Sequence, residues 1–384
     1  MPALSIPMQA AGPRVLVAED QVGVIEALRI LLKQEGFEID AVTSPADLLT
    51  AVRARPYDLV LMDLNYTRDT TSGAEGLDLI REIHTLDETL PLIAMTAWGS
   101  VDLAVEAMRC GAGDFIQKPW DNWRLVGMVR NQMDRRKTLL QAEKERDREL
   151  REAGDLQKRL LPKHVTQIPG FDIAADWRPV RQLGGDYFDV LRFEDGSIGL
   201  CIADVEGKGV PAALVMSNLQ AAVKAFASEN VTPRELCTRL NQIFCRSIVT
   251  DKFITFFYAH LDPGRKRLTY CNAGHCRPFV LRSDGTSTAL CEGGAVLGKF
   301  SDWVFEEEDI ELVPGDRVVL FTDGVSEAED STGTEFGAEG ILACLRRTPS
   351  HDAMCLQREL TRTVAQHCNN RFNDDATLII VVVE

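Results

Sequence analysis

Leu59-Val60-Leu61-Met62-Asp63 is a short apolar run closed by a carboxylate. An unbroken apolar run of this length suits a strand covered on both faces, the usual case in a parallel sheet. Working outward, the pattern recurs at Val15–Ala18, Leu92–Met95 and Phe115–Ile116, and more weakly at Glu38–Val42. Between these runs, helical apolar spacing predicts helices at Val22–Gln34, Ala46–Ala54, Gly76–His84 and Val101–Arg109. Alternating strands and helices imply an α/β, doubly wound parallel sheet. Such sheets take ligands at the carboxyl ends of their strands.

The polar residues fall at those ends. Glu19 and Asp20 follow the first strand, Asp63 ends the third, Thr96 ends the fourth, and Lys118 follows the fifth. Three carboxylates at one sheet edge repel each other unless a cation sits among them. A carboxylate nucleophile attacking a phosphoryl donor needs such a cation, with a hydroxyl and an ammonium to hold the phosphoryl oxygens. In this order and spacing the segment resembles the receiver domain of two-component response regulators, a flavodoxin-like fold. The resemblance implies Asp63 as phosphoacceptor and Mg2+ held by Glu19, Asp20, Asp63 and the Asn65 carbonyl. It further implies Thr96 and Lys118 on the phosphoryl group, Phe115 as the aromatic switch residue, and a sensor histidine kinase as partner. The Asn65–Ala74 loop departs from the family in its length and in lacking Met-Pro.

Residues 124–161 change character. Glycine is absent from Met128 to Ala153, and charges of both signs dominate Asp134–Glu152. Apolar residues recur at Leu125, Val129, Leu139, Leu150 and Leu160, which reads as one long, mostly exposed helix. Gln132, Arg136, Glu143 and Arg146 stand where a strong coiled coil would carry leucine. Two readings stay open, a solvated spacer and a weak homodimer helix.

From Phe171 short strands dominate, at Gly199–Ala203, Thr255–His260, Arg267–Asn272, Phe279–Arg282, Arg317–Phe321 and Thr377–Val383. Helices are expected after Pro211, over Pro233–Arg246 and through Met354–His367, giving an α+β sandwich flanked by helices. Aspartates again mark strand ends: Asp186 after Gly184-Gly185, Asp204 after Leu200–Ala203, Asp323 after Val318–Thr322, and Asp374 and Asp375 before Ala376. Carboxylates there are costly unless positive charge meets them, and oxygen donors without histidine suit Mg2+ or Mn2+. A pair of such ions can activate water for attack on phosphorus with no nucleophilic side chain. Gly184, Gly185, Gly207 and Gly209 allow close backbone approach. Asp189 and Glu327 read as turn or helix caps.

Six ordered motifs carry a second resemblance: Leu160-Leu161-Pro162, Leu183–Asp189, Asp204–Gly209 with Ala212-Ala213-Leu214, Asn272-Ala273-Gly274-His275, Thr322–Val325 and Asp374–Thr377. Together they resemble the PPM (protein phosphatase 2C-like) family, in its SpoIIE/RsbU branch. The resemblance implies two Mn2+ or Mg2+ ions. Asp204 would bridge them, the Val205 carbonyl would join one, Asp323 and Asp374 would hold the first, and Asp186 would assist at the second. His275 is expected to hold its loop by hydrogen bonds. The expected substrate is a phosphorylated STAS-domain anti-sigma-factor antagonist in a partner-switching pathway. The alternative is a catalytically inactive receiver–phosphatase adaptor that binds a sigma or anti-sigma factor, a class in which the metal aspartates are commonly replaced.

The expected organisation is a tail at 1–12, receiver at 13–130, helical linker at 131–163 and phosphatase at 164–384. A net charge of −16 over 384 residues argues against nucleic acid as a partner. No apolar run reaches membrane-span length, and Met1–Gly12 lacks the pattern of a signal peptide. The ten cysteines form no Cys-x-x-Cys pair, and Cys271, His275 and Cys276 lack zinc-site spacing. The expectation is a cytoplasmic protein with reduced cysteines.

Overall fold

The computed structural model describes residues 12–65, 74–97, 101–247 and 252–384. The chain divides into two compact units, Met1–Asp147 and Arg148–Glu384.

The first unit runs β1 (Arg14–Ala18), α1 (Val22–Gln34), β2 (Glu38–Val42), α2 (Pro45–Ala54), β3 (Leu59–Asp63), α3 (Ala74–Leu86), β4 (Leu92–Thr96), α4 (Val101–Arg109), β5 (Asp114–Gln117) and α5 (Asn122–Leu160). The strands pair in parallel in the order β2-β1-β3-β4-β5. Period-two alternation sorts the core. Val15, Val17, Leu59, Leu61, Ile93 and Met95 pack with Leu28 and Leu32 of α1 and Leu125 and Val129 of α5. Leu16, Ala18, Val60, Met62, Leu92 and Ala94 pack with Leu48, Leu79, Ile80, Ile83 and Ala107 on the other face. Every residue of β3 is buried, which is why its run has no polar interruption.

Helix α5 is 39 residues long, as the glycine-free stretch predicts. Two of its polar positions differ from the seam reading. Gln132 is buried and donates from Nε2 to the Gly113 carbonyl at 2.7 Å. Arg136 donates to the Tyr57 carbonyl and pairs with Asp87 at 2.9 Å. Both satisfy polar groups of the first unit, so neither is free to weaken a helix pair. Glu143 and Arg146 are exposed.

The second unit continues with β6 (Phe171–Arg178), β7 (Tyr187–Arg192), β8 (Ile198–Val205), α6 (Val210–Phe226), α7 (Pro233–Ser247), β9 (Ile254–Asp262), β10 (Arg267–Ala273), β11 (Phe279–Leu281), β12 (Ser287–Ala289), β13 (Gly293–Gly294), β14 (Glu308–Glu311), β15 (Arg317–Phe321), α8 (Asp323–Ser326), α9 (Gly337–Arg347), α10 (Ala353–His367) and β16 (Ala376–Val383). One sheet has the order β13-β10-β9-β8-β7, with β14 on β10, and the other β12-β11-β15-β16-β6. Ile379, Val381 and Val383 of β16 face the core shared with β7–β10, α6 and α7. Leu378, Ile380 and Val382 face α9 and α10. This is a β-sandwich with helices outside both sheets. All eight residues of β16 are buried, as two covered faces require. Asp189 departs from the cap reading. It lies within β7, 4% exposed, accepting from the Tyr187 hydroxyl at 3.1 Å, with Lys224 Nζ at 3.3 Å.

The described cysteines are all free thiols, and no described helix is long and apolar enough to cross a membrane.

Packing in the sandwich yields a coupled test. A Cβ on Gly199 of β8 would lie 2.6 Å from the Tyr258 hydroxyl, itself buried without a hydrogen-bond partner. Gly199→Ala should cost about 1–3 kcal/mol in chemical denaturation of the full chain. Tyr258→Phe alone should be neutral or stabilising, because it removes an unsatisfied buried group. The double variant should recover part of the Gly199→Ala loss, a coupling of roughly 1 kcal/mol. Strict additivity would contradict this packing.

Candidate metal centres

In the first unit β1 and β3 are neighbours, so the parallel sheet carries Glu19, Asp20 and Asp63 to one edge. One oxygen from each lies within 4.8 Å of the other two. Glu19 is fully buried and Asp63 is 3% exposed. Lys118 stands between them, pairing with Glu19 and reaching Asp63 Oδ2 at 2.8 Å. Burial pushes the Glu19 carboxyl above its ordinary range; Lys118 opposes that rise and Asp63 adds to it. Asn65 donates from its backbone to Asp63 Oδ1 at 3.2 Å, and from Nδ2 to the Thr96 hydroxyl at 3.2 Å. Thr96 is fully buried, while Phe115 is half-buried against the α2–α4 core. Asp20 Oδ1 is buried with no hydrogen-bond partner. The unusual loop after Asn65 falls in 66–73, outside the described residues.

In the second unit two antiparallel pairs bring the aspartates together. Tyr187 pairs with Ala203, so Asp186 and Asp204 share one strand-end edge. Phe321 pairs with Leu378, which brings Asp323 and Asp374 to the matching edge of the other sheet. Asp186 is 1% exposed. Its Oδ2 accepts from Thr322 at 2.8 Å and Thr377 at 2.5 Å, while Oδ1 is buried without a partner. Burial, then repulsion from Asp204, pushes its carboxyl well above the ordinary range. Asp204 is pushed up to about 7 by burial and by Asp323 and Asp374. Asp323 also rises, through burial and then Asp374. Lys208 Nζ lies 2.8 Å from Asp374 Oδ2. Among the described residues, no three of these aspartates close to the receiver's 4.8 Å spacing.

The fit to cations rests on the donors. An unpartnered buried carboxylate oxygen is costly without positive charge, and an all-oxygen set suits a hard divalent ion. Asp186 and Asp20 each present such an oxygen.

Two glycines make close backbone contacts beside the aspartates. A Cβ on Gly185 would lie 2.9 Å from the Val205 carbonyl, and one on Gly324 would lie 2.0 Å from the Asp375 carbonyl. Gly207 and Gly209 have φ of 90° and 74°. Asp375 accepts from Val180 N and Gly185 N, each at 2.8 Å. Glu327 is the C-terminal cap residue of α8. His275 is buried, contacts the Thr255 hydroxyl at 2.8 Å and the Phe321 carbonyl at 3.0 Å, and is pushed down to about 4 by burial. Sequence reasoning missed Thr322 and Thr377 as supports of Asp186, although both lie in aspartate motifs, Thr322 next to Asp323 and Thr377 two residues after Asp375. It missed Gln157, whose carboxamide bonds both backbone groups of Gly184, because a lone glutamine in a charged helix carries no signal.

Comparison with known proteins agrees with this geometry. Residues 15–130 match the response regulator receiver domain, and residues 194–384 match stage II sporulation protein E. Phosphoserine phosphatase RsbU of Bacillus subtilis is 35% identical over 271 residues, 70% of this chain and 75% of that protein. Phosphoserine phosphatase RsbP of the same organism is 26% identical, over 47% of this chain and 45% of that one. The RsbU and RsbW domains of Rv1364c from Mycobacterium tuberculosis share 27% identity at a TM-score of 0.50, over 59% of this chain and 63% of that chain. The SiaA-PP2C domain of Pseudomonas aeruginosa, 23% identical, shares the fold at a TM-score of 0.54, over 63% of this chain and 99% of that one. A receiver fold, a sandwich with aspartates gathered at its strand ends and a 35% identical relative converge: the chain belongs to the SpoIIE/RsbU family of PP2C-type phosphatases and carries an N-terminal response-regulator receiver domain.

Proposed function

We propose that the protein is a response regulator in which phosphorylation of Asp63 controls a metal-dependent serine/threonine protein phosphatase. The observation that carries the reading is the Asp186–Asp204–Asp323–Asp374 cluster, with Asp186 Oδ1 buried and unpartnered. All four aspartates are retained, which favours an enzyme over an adaptor.

In the receiver, Asp63 attacks the phosphorus of a phosphohistidine donor, forming an O–P bond as the N–P bond breaks. Glu19, Asp20, Asp63 and the Asn65 carbonyl would hold Mg2+. The Thr96 hydroxyl and Lys118 ammonium take the phosphoryl oxygens. In the phosphatase, Asp204, Asp186, the Val205 carbonyl, Asp323 and Asp374 would hold two Mn2+ or Mg2+ ions. When bound, such a pair supplies the Lewis acidity that activates water and neutralises phosphoryl oxygens. Thr322 and Thr377 orient Asp186 so that its second oxygen stays available. Lys208 keeps an ammonium at the cluster, where it can meet the substrate dianion.

RsbU and RsbP are phosphoserine phosphatases by name, which supports a phosphoserine protein as substrate. Within that class we favour a STAS-domain anti-sigma-factor antagonist, acted on in the cytoplasm and opposed by a partner-switching kinase. A sensor histidine kinase is the expected donor. Coupling is assigned to α5, through homodimerisation along its exposed stretch, where Leu139 and Leu156 are 61% and 63% exposed.

Asp204→Ala should lower Mn2+-dependent hydrolysis of a phosphorylated STAS protein by more than about 100-fold, since losing even an outer partner of a metal ligand costs 10–100-fold. The metal-free variant should melt no lower than wild type, because a repelled buried charge is gone. Near-normal turnover would refute the site.

Acetyl phosphate with Mg2+ should phosphorylate wild type but not Asp63→Asn, as read by intact mass. Beryllofluoride should raise phosphatase activity and sedimentation coefficient together in wild type alone. Activation with unchanged mass would remove the dimer from the scheme.

A further inference from the structure

We propose that Gln157, near the end of α5, is a positioning residue that sets the metal affinity of the Asp204 cluster by clasping the backbone of Gly184. The inference rests on reading that cluster as a two-cation centre.

Gln157 is 3% exposed, whereas Asp155, Leu156, Lys158 and Arg159 around it are exposed. Its carboxamide uses both ends on one residue. Nε2 donates to the Gly184 carbonyl at 2.7 Å, and Oε1 accepts from Gly184 N at 3.0 Å. Two bonds from one planar group fix the position and the orientation of Gly184. One turn earlier on the same helix face, buried Gly154 lies where a Cβ would stand 2.2 Å from the Gln182 carbonyl. Helix backbone therefore meets the 182–184 segment directly.

The same segment leads into the cluster. Gly185 N donates to Asp375, beside Asp374, and a Cβ on Gly184 would lie 2.6 Å from Asp375 Oδ2. Asp186 follows, held from the sheet side by Thr322 and Thr377. The segment is thus gripped on one side by the sheet that bears Asp323 and Asp374, and on the other by Gln157. Gly184 and Gly185 have the widest backbone freedom of any residues. Without the clasp, ordering them falls on the cation-binding step and weakens it. The end of α5 has its own anchor, from Gln220 Nε2 to the Leu160 carbonyl at 3.2 Å. Loss of Gln157 therefore loosens the glycine pair without releasing the helix.

The test uses the full chain with three variants. Gln157→Leu removes both bonds at similar size, Gln157→Glu keeps only the acceptor, and Gly154→Ala forces helix and segment apart. Mn2+ binding is measured by titration calorimetry, with Asp204→Ala as the blank that leaves only the receiver's cation site, and kcat and KM on a phosphoserine peptide are followed across Mn2+ concentrations. Gln157→Leu and Gly154→Ala should raise the Mn2+ dissociation constant by about tenfold or more. Their kcat should recover at saturating Mn2+ with KM for the peptide unchanged, and Gln157→Glu, which sets a carboxylate oxygen against the Gly184 carbonyl, should weaken Mn2+ binding at least as much as Gln157→Leu. A purely structural Gln157 would lower the melting temperature and leave Mn2+ affinity untouched, and that result overturns the proposal. If Gln157→Leu does not fold, Gln157→Glu and Gly154→Ala decide by the same criterion. Wild type that binds no more Mn2+ than Asp204→Ala would instead overturn the two-cation reading, and this inference with it.

Discussion

Like charges crowded where water is scarce set the terms for the second unit. Burial lifts the Asp186 and Asp204 carboxyls first; Asp204 and Asp375 lift Asp186 further, and Asp323, Asp374 and Asp375 do the same to Asp204. Five carboxylates, Asp186, Asp204, Asp323, Asp374 and Asp375, converge because two antiparallel strand pairs, one from each sheet, end at the same place. Only a rigid sandwich can hold them there. The hydroxyls of Thr322 and Thr377 reach from one sheet to Asp186 of the other, so the bonds that orient the carboxylate also tie the layers together.

The first unit meets the same difficulty differently. Its three acidic groups have a cation of their own, Lys118, placed between Glu19 and Asp63 by the end of β5. A charge on a flexible stem can follow a newly attached phosphoryl group, which suits a site that changes state. In the second site neutral hydroxyls hold Asp186 and backbone amides hold Asp375, which suits a site that keeps its geometry. Lys208 stands at the other rim of that cluster, beside Asp374.

The parallel sheet was legible because its strands are buried on both faces and so read as unbroken apolar runs. The strand-end aspartates were legible because charge after such a run is rare. β6, β7 and the short β12–β14 were not, since their polar interruptions, such as Asp176 and Asp189, break the period. Asp189 shows why, for its charge is met by Lys224 of α6, well along the chain. Gln132 and Arg136 misled in the same way. Helical spacing places them on a seam, but their partners at Gly113, Tyr57 and Asp87 come from tertiary structure. Gln157, Thr322 and Thr377 act on the cluster through hydrogen bonds that no spacing encodes.

β16 pairs with β6 along its full length, joining segments about 200 residues apart, whereas strands of the first unit pair with partners within about 45 residues. Closing a loop costs about 0.6 kcal/mol for each doubling of length, so this pairing carries roughly 1 kcal/mol more loop-closure entropy and forms late. During synthesis the first unit can fold while β16 is still unmade. Until β16 docks, Asp374 is not delivered and Thr377 cannot reach Asp186. A nascent chain would therefore hold the Glu19–Asp20–Asp63 pocket before it holds the four-aspartate cluster; on the proposed function, the capacity to be switched precedes the activity that is switched.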